Sequence, residues 1–389
     1  MERGLTGRYE VQTIGGERIR SFVPHPLPPS PALDLSGKRQ LLLEKALLSL
    51  GRLDSISTLL PDPHLFLYSY VRREAVLSSQ IEGTQSSLAD LLLFEMEEVP
   101  GVPLDDVVEV SNYVAALEHG VARLRDGFPL SNRLVREVHA ILLSRGRGSD
   151  RSPGEFRRSQ NWIGGTRPGN AVFVPPPHQQ VEDCMAELER FIHDRKSALP
   201  ALIKAALAHV QFETIHPFLD GNGRVGRLLI VLMLHDVGIL SQPLLYLSLY
   251  FKQNRTSYYR LLNRVRKHGD WESWVDFFLK GVESVSTDAV ETARSLVNLF
   301  DDDSERIKGM GRSSGSALLV FEAFRRQPLI SLNDLCKSTG LTFPTAAKAV
   351  AGLTGLGIVR ELTGRKRNRI FAYDRYLSIL SEGTEPLQR

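Results

Sequence analysis

The chain has 389 residues, 42% of them apolar and 24% charged, with 48 Lys+Arg against 45 Asp+Glu. That length exceeds what one hydrophobic core organises, so two or three domains are expected, and the composition is that of a soluble globular protein. Two distant cysteines, Cys184 and Cys336, exclude a disulfide scaffold and a structural zinc, while the polar start and the lack of an apolar run of about eighteen residues point away from a signal peptide and a membrane span, leaving a cytoplasmic location expected.

Residues 1–36 read as an extended N-terminal arm, because the prolines from Pro24 to Pro31 remove backbone donors and exclude a helix. Residues 37–104 form a helical lobe whose clearest runs are LLLEKALLSLGRL and HLFLYSYVRREAVLSSQIEG. Helical spacing continues over about 105–125 and in NRLVREVHAILL. The pattern then breaks at SQNWIGGTRPGNAVFVPPPH, where Pro168-Gly169 fits the centre of a type II turn and the flanking Trp162-Ile163 and Val172-Phe173-Val174 predict a short β-hairpin. Helices resume with VEDCMAELERFIH and ALIKAALAHVQFETI, and LLIVLMLHDVGIL, apolar nearly all round, predicts a buried central helix. The helical core is expected to span 105–299. Residues 300–315, including DDDSERIKGMGRSSG, have linker composition. Over 316–380, two short helices meeting at Gly340 and two strands around GRKRNR outline a winged helix-turn-helix.

HPFLDGNGRVGR, residues 216–227, carries the chemistry. GNG at a helix start leaves several N–H groups pointing outward at the positive end of the dipole, and glycine lets an anion approach the backbone. Arg224 and Arg227 share a helix face in the first turns, where the macrodipole disfavours cations, which suggests a multiply charged anion such as a polyphosphate. His216 titrates near neutrality and can take a proton from a hydroxyl nucleophile, and Asp220 beside phosphates is the usual protein contribution to Mg²⁺. A base, a metal ligand, an anion cradle and two charge clamps describe phosphoryl or nucleotidyl transfer.

The twelve residues resemble the Fic-domain motif H-P-F-x-D/E-G-N-G-R-x-x-R at every fixed position. The resemblance implies a mainly α Fic-type bundle with a β-hairpin flap, and transfer of AMP from ATP to a hydroxyl side chain of a target protein. It makes His216 the general base, Asp220 the Mg²⁺ ligand, Gly221, Asn222 and Gly223 with their N–H groups the α-phosphate cradle, Arg224 an organiser of the phosphates and Arg227 the γ-phosphate ligand. By the same resemblance, Ile163, Gly164 and Gly165 pin the target by strand-like pairing, and Tyr258 and Tyr259 line the adenosine pocket. A homodimer is compatible with it.

Ser78 and Glu82, four apart on one helix face before the C-capping Gly83, resemble the family's inhibitory motif, in which the glutamate pairs with the second motif arginine, here Arg227. The resemblance therefore implies a self-inhibited enzyme. Residues 305–378 hold thirteen Lys/Arg and five Asp/Glu, a footprint compatible with DNA contact, although the presumed recognition helix FPTAAKAVAGLTG offers little base readout and could equally dock on protein. Two alternatives stay open: a DNA-binding transcriptional regulator using the nucleotide site as a sensor, and removal of AMP by the same site.

Overall fold

The structure, a computed structural model, describes residues 3–59, 63–96, 104–364 and 369–385. It opens on a β-hairpin rather than a wholly extended arm. Strands β1 (Gly7–Ile14) and β2 (Glu17–Pro24) pair antiparallel, from Gly7 opposite Pro24 to Ile14 opposite Glu17. The turn is Gly15-Gly16, with φ of 57° and 84°, the conformation a two-residue turn between right-twisted strands requires.

Among the described residues, eleven α-helices follow up to residue 308: α1 (Lys38–Leu59), α2 (Pro63–Ile81), α3 (Leu88–Glu95), α4 (Leu104–Arg125), α5 (Asn132–Leu142), α6 (Val181–His193), α7 (Ala201–Ile215), α8 (Asn222–Asp236), α9 (Ser248–Gln253), α10 (Arg255–His268) and α11 (Trp271–Lys308). Helix α8 is the centre of the bundle. Every residue from Arg224 to Leu234 is buried, and α2, α4, α5 and α7 pack round it. Helix α1 lies along α11. Helix α3 starts on a capping box, Ser87 accepting from the Asp90 N–H and Asp90 accepting from the Ser87 N–H, two orphan donors satisfied at once. No helix among the described residues is long and apolar enough to cross a membrane.

The expected linker over 300–315 is mostly helix. Helix α11 runs on to Lys308, a short 3₁₀ turn covers Gly311–Ser313, and α12 (Ser314–Arg326) begins at once. The acidic run looks like linker only because its inward face is sparse: Phe300, Asp303 and Ile307, three and four apart, are buried. Asp303 accepts a hydrogen bond from the Tyr373 hydroxyl (2.7 Å) and pairs with Arg306 (2.5 Å) and Arg375 (3.4 Å), so the following module is fastened to α11. That module continues with β3 (Leu329–Ser331), α13 (Leu332–Thr339), α14 (Phe343–Gly355), β4 (Arg360–Glu361), β5 (Ile370–Ala372) and α15 (Asp374–Ser381). Its antiparallel sheet has the order β3-β5-β4. Residues 365–368 of the GRKRNR run lie outside the described residues.

Tyr373→Phe deprives the buried Asp303 carboxylate of its shortest neutral donor. Urea denaturation should show a loss of about 1–3 kcal/mol. An unchanged midpoint would mean the fastening contributes nothing.

Candidate active site

The backbone reverses at His216, the C-cap of α7, which takes the left-handed conformation (φ 49°, ψ 61°) unusual for a residue with a Cβ. Two buried arginines hold it there. Arg157 donates from Nε to the His216 carbonyl (3.0 Å) and from Nη2 to those of Pro176 (2.6 Å) and Ile215 (3.4 Å). Arg266 donates to Thr214 Oγ1 (3.1 Å) and the Glu213 carbonyl (3.2 Å), and its guanidinium lies 4.0 Å over the Phe173 ring. Burial lowers both arginines to about 10, still cationic at neutral pH.

Those cations act on the His216 ring. Burial first, then the Arg157 and Arg266 charges, push the His216 imidazole down to about 3, so the ring is neutral. Its Nδ1 is buried with no hydrogen-bond partner among the described residues.

The loop after His216 is braced from three sides. Phe218 is fully buried and stacks on the His139 ring, centroids 3.7 Å apart. The Asn222 amide closes on Phe218 in both senses, Oδ1 accepting from its N–H (2.9 Å) and Nδ2 donating to its carbonyl (2.8 Å). Asn161 donates to the same carbonyl (2.9 Å). His139 accepts from the Gly154 N–H at Nδ1 (2.8 Å), which leaves the proton on Nε2 to donate to the Asp220 carbonyl (3.1 Å). Burial pushes this ring down to about 4, which keeps that single tautomer.

Asp220 is the open carboxylate of the loop, its side chain 39% exposed. Oδ1 accepts from the Gly221 N–H (2.6 Å), and Arg224 stands 3.6 Å away. Gly221, at φ 76°, turns the chain into α8, whose first N–H groups have no acceptor inside the helix. A carboxylate already stands at that start. A Cβ on Gly223 would collide with Glu82 Oε1. Arg227 Nη2 donates to that oxygen (2.8 Å) and to the Ser78 carbonyl (2.9 Å), and Nε to Ser78 Oγ (2.8 Å). Burial raises the Glu82 carboxyl, but the Arg227 charge and hydrogen bond outweigh it and hold the group below its ordinary range.

Although Arg224 and Arg227 are three apart, they serve different helices. Arg224, 1% exposed, pairs with the buried Glu109 of α4 (2.9 Å), whose carboxylate also meets Arg147 (3.0 Å). Arg227 meets α2. The flap is short: Ile163 bridges Phe173, its N–H donating to the Phe173 carbonyl (2.8 Å). Its left-handed residues are Gly164 and Gly165, not Gly169; Pro168–Asn170 form a 3₁₀ turn instead of the expected type II turn. Glu17 of the N-terminal hairpin holds this tip, pairing with Arg167 (2.8 Å) and accepting from the Gly169 N–H (3.1 Å).

Two expected contacts are spent elsewhere. The Asn222 side chain braces the loop, leaving backbone N–H groups for an anion. Tyr258 is buried, its hydroxyl donating to His209 Nε2 (2.8 Å), so of the tyrosine pair only Tyr259, 42% exposed, presents its ring to solvent. His139, Arg157, Arg266, Glu109 and Glu213 escape the sequence reading. The one available signal was polar residues inside an apolar helix: His209 and Glu213, four apart, are both buried in α7, where burial raises Glu213 to about 7.

The Fic/DOC family N-terminal region matches residues 40–122, and the Fic/DOC family domain residues 129–234. The chain therefore carries a Fic/DOC N-terminal region followed by a Fic/DOC domain. Ser78 and Glu82 fall in the first match and the whole 216–227 motif in the second. A protein adenylyltransferase Fic of Drosophila yakuba is 29% identical over 240 residues, covering 59% of this chain and 45% of that protein. That of Drosophila ananassae is 31% identical over 200 residues, covering 51% and 37%. The chain thus spans less than half the length of these relatives. Among solved structures, a Fic family protein from Desulfovibrio desulfuricans G20 shares the fold at TM-score 0.55 and 20% identity, over 90% of this chain and 97% of that one. Fic-1 (aa134–508) from C. elegans does so at TM-score 0.51 and 22% identity, over 67% and 74%.

The Fic-motif histidine should not titrate where histidines ordinarily do. Its folded value lies below the unfolded value of about 6.5, so folding stability is full above that pH and declines as pH falls through it. Heteronuclear NMR of ring-labelled protein should show His216 neutral throughout pH 5–8. A midpoint near 6.5 would contradict the burial and cationic surroundings described above.

Proposed function

We propose that this Fic protein transfers AMP from ATP to a Ser, Thr or Tyr hydroxyl of a target protein, and that Glu82 holds it inactive in the state seen here. The observation that carries the reading is the pair of features at the α7–α8 junction: a neutral imidazole beside a helix start whose anion position is filled by a carboxylate. The name protein adenylyltransferase carried by the relatives supports it.

His216, neutral, takes the proton of the target hydroxyl as the oxygen attacks the α-phosphorus. The new bond is oxygen to α-phosphorus, the broken one joins that phosphorus to the β-phosphate bridge, and pyrophosphate leaves. The N–H groups at the start of α8 hold the α-phosphate oxygens, where charge develops in the transition state. Arg227 takes the γ-phosphate, and Arg224, anchored by Glu109, orders the phosphates from behind. Asp220, a lone half-open carboxylate, fits Mg²⁺ arriving with the nucleotide; among the described residues no group of three or more His, Cys, Asp and Glu side chains forms a resident metal cage. Mg²⁺ so held would offset phosphate charge. The flap edge at Ile163–Gly165 pins the target segment by strand addition, with Trp162 and Val172 exposed beside it.

The brake follows from the Arg227 contacts. A γ-phosphate and the Glu82 carboxylate need the same guanidinium edge, and only one anion fits there.

The test uses Mg²⁺ and ATP labelled at the α-phosphate. Glu82→Gly should acquire protein-bound label well above wild type, and adding His216→Ala should cut its rate at least about 10²-fold. γ-Labelled ATP should leave no label. Label from the γ position, or none from either, would overturn AMP transfer.

A further inference from the structure

The matched family regions end at residue 234, and nothing so far gives the module after α11 a task. We propose that this module is the regulatory input to the Glu82 brake, acting through residues 382–385 as a strap laid along the inhibitory helix α2. The proposal rests on the brake reading above.

The contacts run in order along α2 towards Glu82. Ser69 Oγ meets the hydroxyl of Tyr376, on α15, at 3.1 Å. One turn on, Arg73 Nη2 donates to the Glu382 carbonyl (2.6 Å). Gln80, two residues before Glu82, donates from Nε2 to the Thr384 carbonyl (2.8 Å) and to the Ser86 carbonyl (2.9 Å) just beyond the helix end. One amide therefore joins the strap to both sides of the turn that carries Glu82. Lys252, in α9 against α2, donates to the carbonyls of Gly383 (3.1 Å) and Glu385. Gln80 is 1% exposed and Thr384 3%, so the bond between them is sealed from water and costly to leave unmade.

Chemistry distinguishes this from ordinary packing. The strap is received through its backbone carbonyls, by three long side chains of the α2–α9 pair. The hydrogen bonds join residues 131 to 309 apart in the chain. The docked strap coexists with a closed Glu82–Arg227 pair. A force that draws the strap off α2, while the Asp303 tie still holds the module on α11, removes partners from Gln80 and frees the turn at Ile81–Gly83. Linkage makes the effect mutual: what loosens Glu82 loosens the strap.

The experiment takes the full chain, a deletion of residues 382–389, and the triple variant Arg73→Met, Gln80→Leu, Lys252→Met, which removes the donors should the deletion fail to fold. Each is assayed with α-labelled ATP beside wild type and Glu82→Gly. Tyr373→Phe, which weakens the module elsewhere, controls for general destabilisation. Deletion and triple variant should label above wild type by roughly 5- to 150-fold, lose that label with His216→Ala, and exchange the amides of residues 78–84 faster; Tyr373→Phe should stay silent. Folded strap variants as silent as wild type, with Glu82→Gly active, would overturn the strap and leave the transferase standing. Tyr373→Phe labelling as strongly as the strap variants would overturn it too. Silence of Glu82→Gly itself would sink the transferase reading and the strap together.

Discussion

A buried guanidinium must have an anion, and in this molecule that guanidinium is Arg227. It is 2% exposed and sits in the first turns of a helix whose own N–H groups also face outward unpaired. Leaving such a charge without its partner costs about 3–5 kcal/mol. The site therefore cannot stand empty cheaply: it holds the Glu82 carboxylate here, and in the proposed reaction the phosphates of ATP take that place. The proposed autoinhibition is then a consequence of the site's own electrostatics rather than an added device. Gly223 is the residue that permits it, since any side chain there would displace the carboxylate.

The same economy of charge explains the neutral His216 imidazole. Arg157 and Arg266 are buried because they supply donors to carbonyls at the α7 reversal, and their positive charge, added to burial, keeps His216 unprotonated. Arg266 also stacks on Phe173, and the N-terminal hairpin holds the flap tip through Glu17. His216, flap and hairpin are thus one mechanical unit, in which a shift at the flap would be felt through Arg266 at the Glu213 carbonyl, three residues before His216.

Much of this was legible in local patterns, and the rest was not, for identifiable reasons. Motif positions 216–227, the four-residue spacing of Ser78 and Glu82 and the central apolar helix all express chemistry or periodicity within a few residues. The N-terminal hairpin carried a local signal too, Gly15-Gly16 between alternating strands, masked by the prolines that follow. The 300–308 segment misled because composition weighs its acidic exposed face and not the three buried residues that make it a helix. For Tyr258 and Asn222, which way each side chain turns depends on His209 and Phe218, partners that only the fold supplies. His139, Glu109, Arg157 and Arg266 act across separations of 52 to 115 residues; a single chain read in order contains no trace of such pairings.

The most direct test of the competition at Arg227 is a pair of crystal structures with Mg²⁺ and a non-hydrolysable ATP analogue, one of wild type and one of Glu82→Gly. The distance to measure is from the Arg227 guanidinium to the γ-phosphate oxygens. Hydrogen-bond contact in the variant only, with Glu82 still on Arg227 and the γ-phosphate displaced in wild type, is the predicted result. The same γ-phosphate contact in both structures would contradict it.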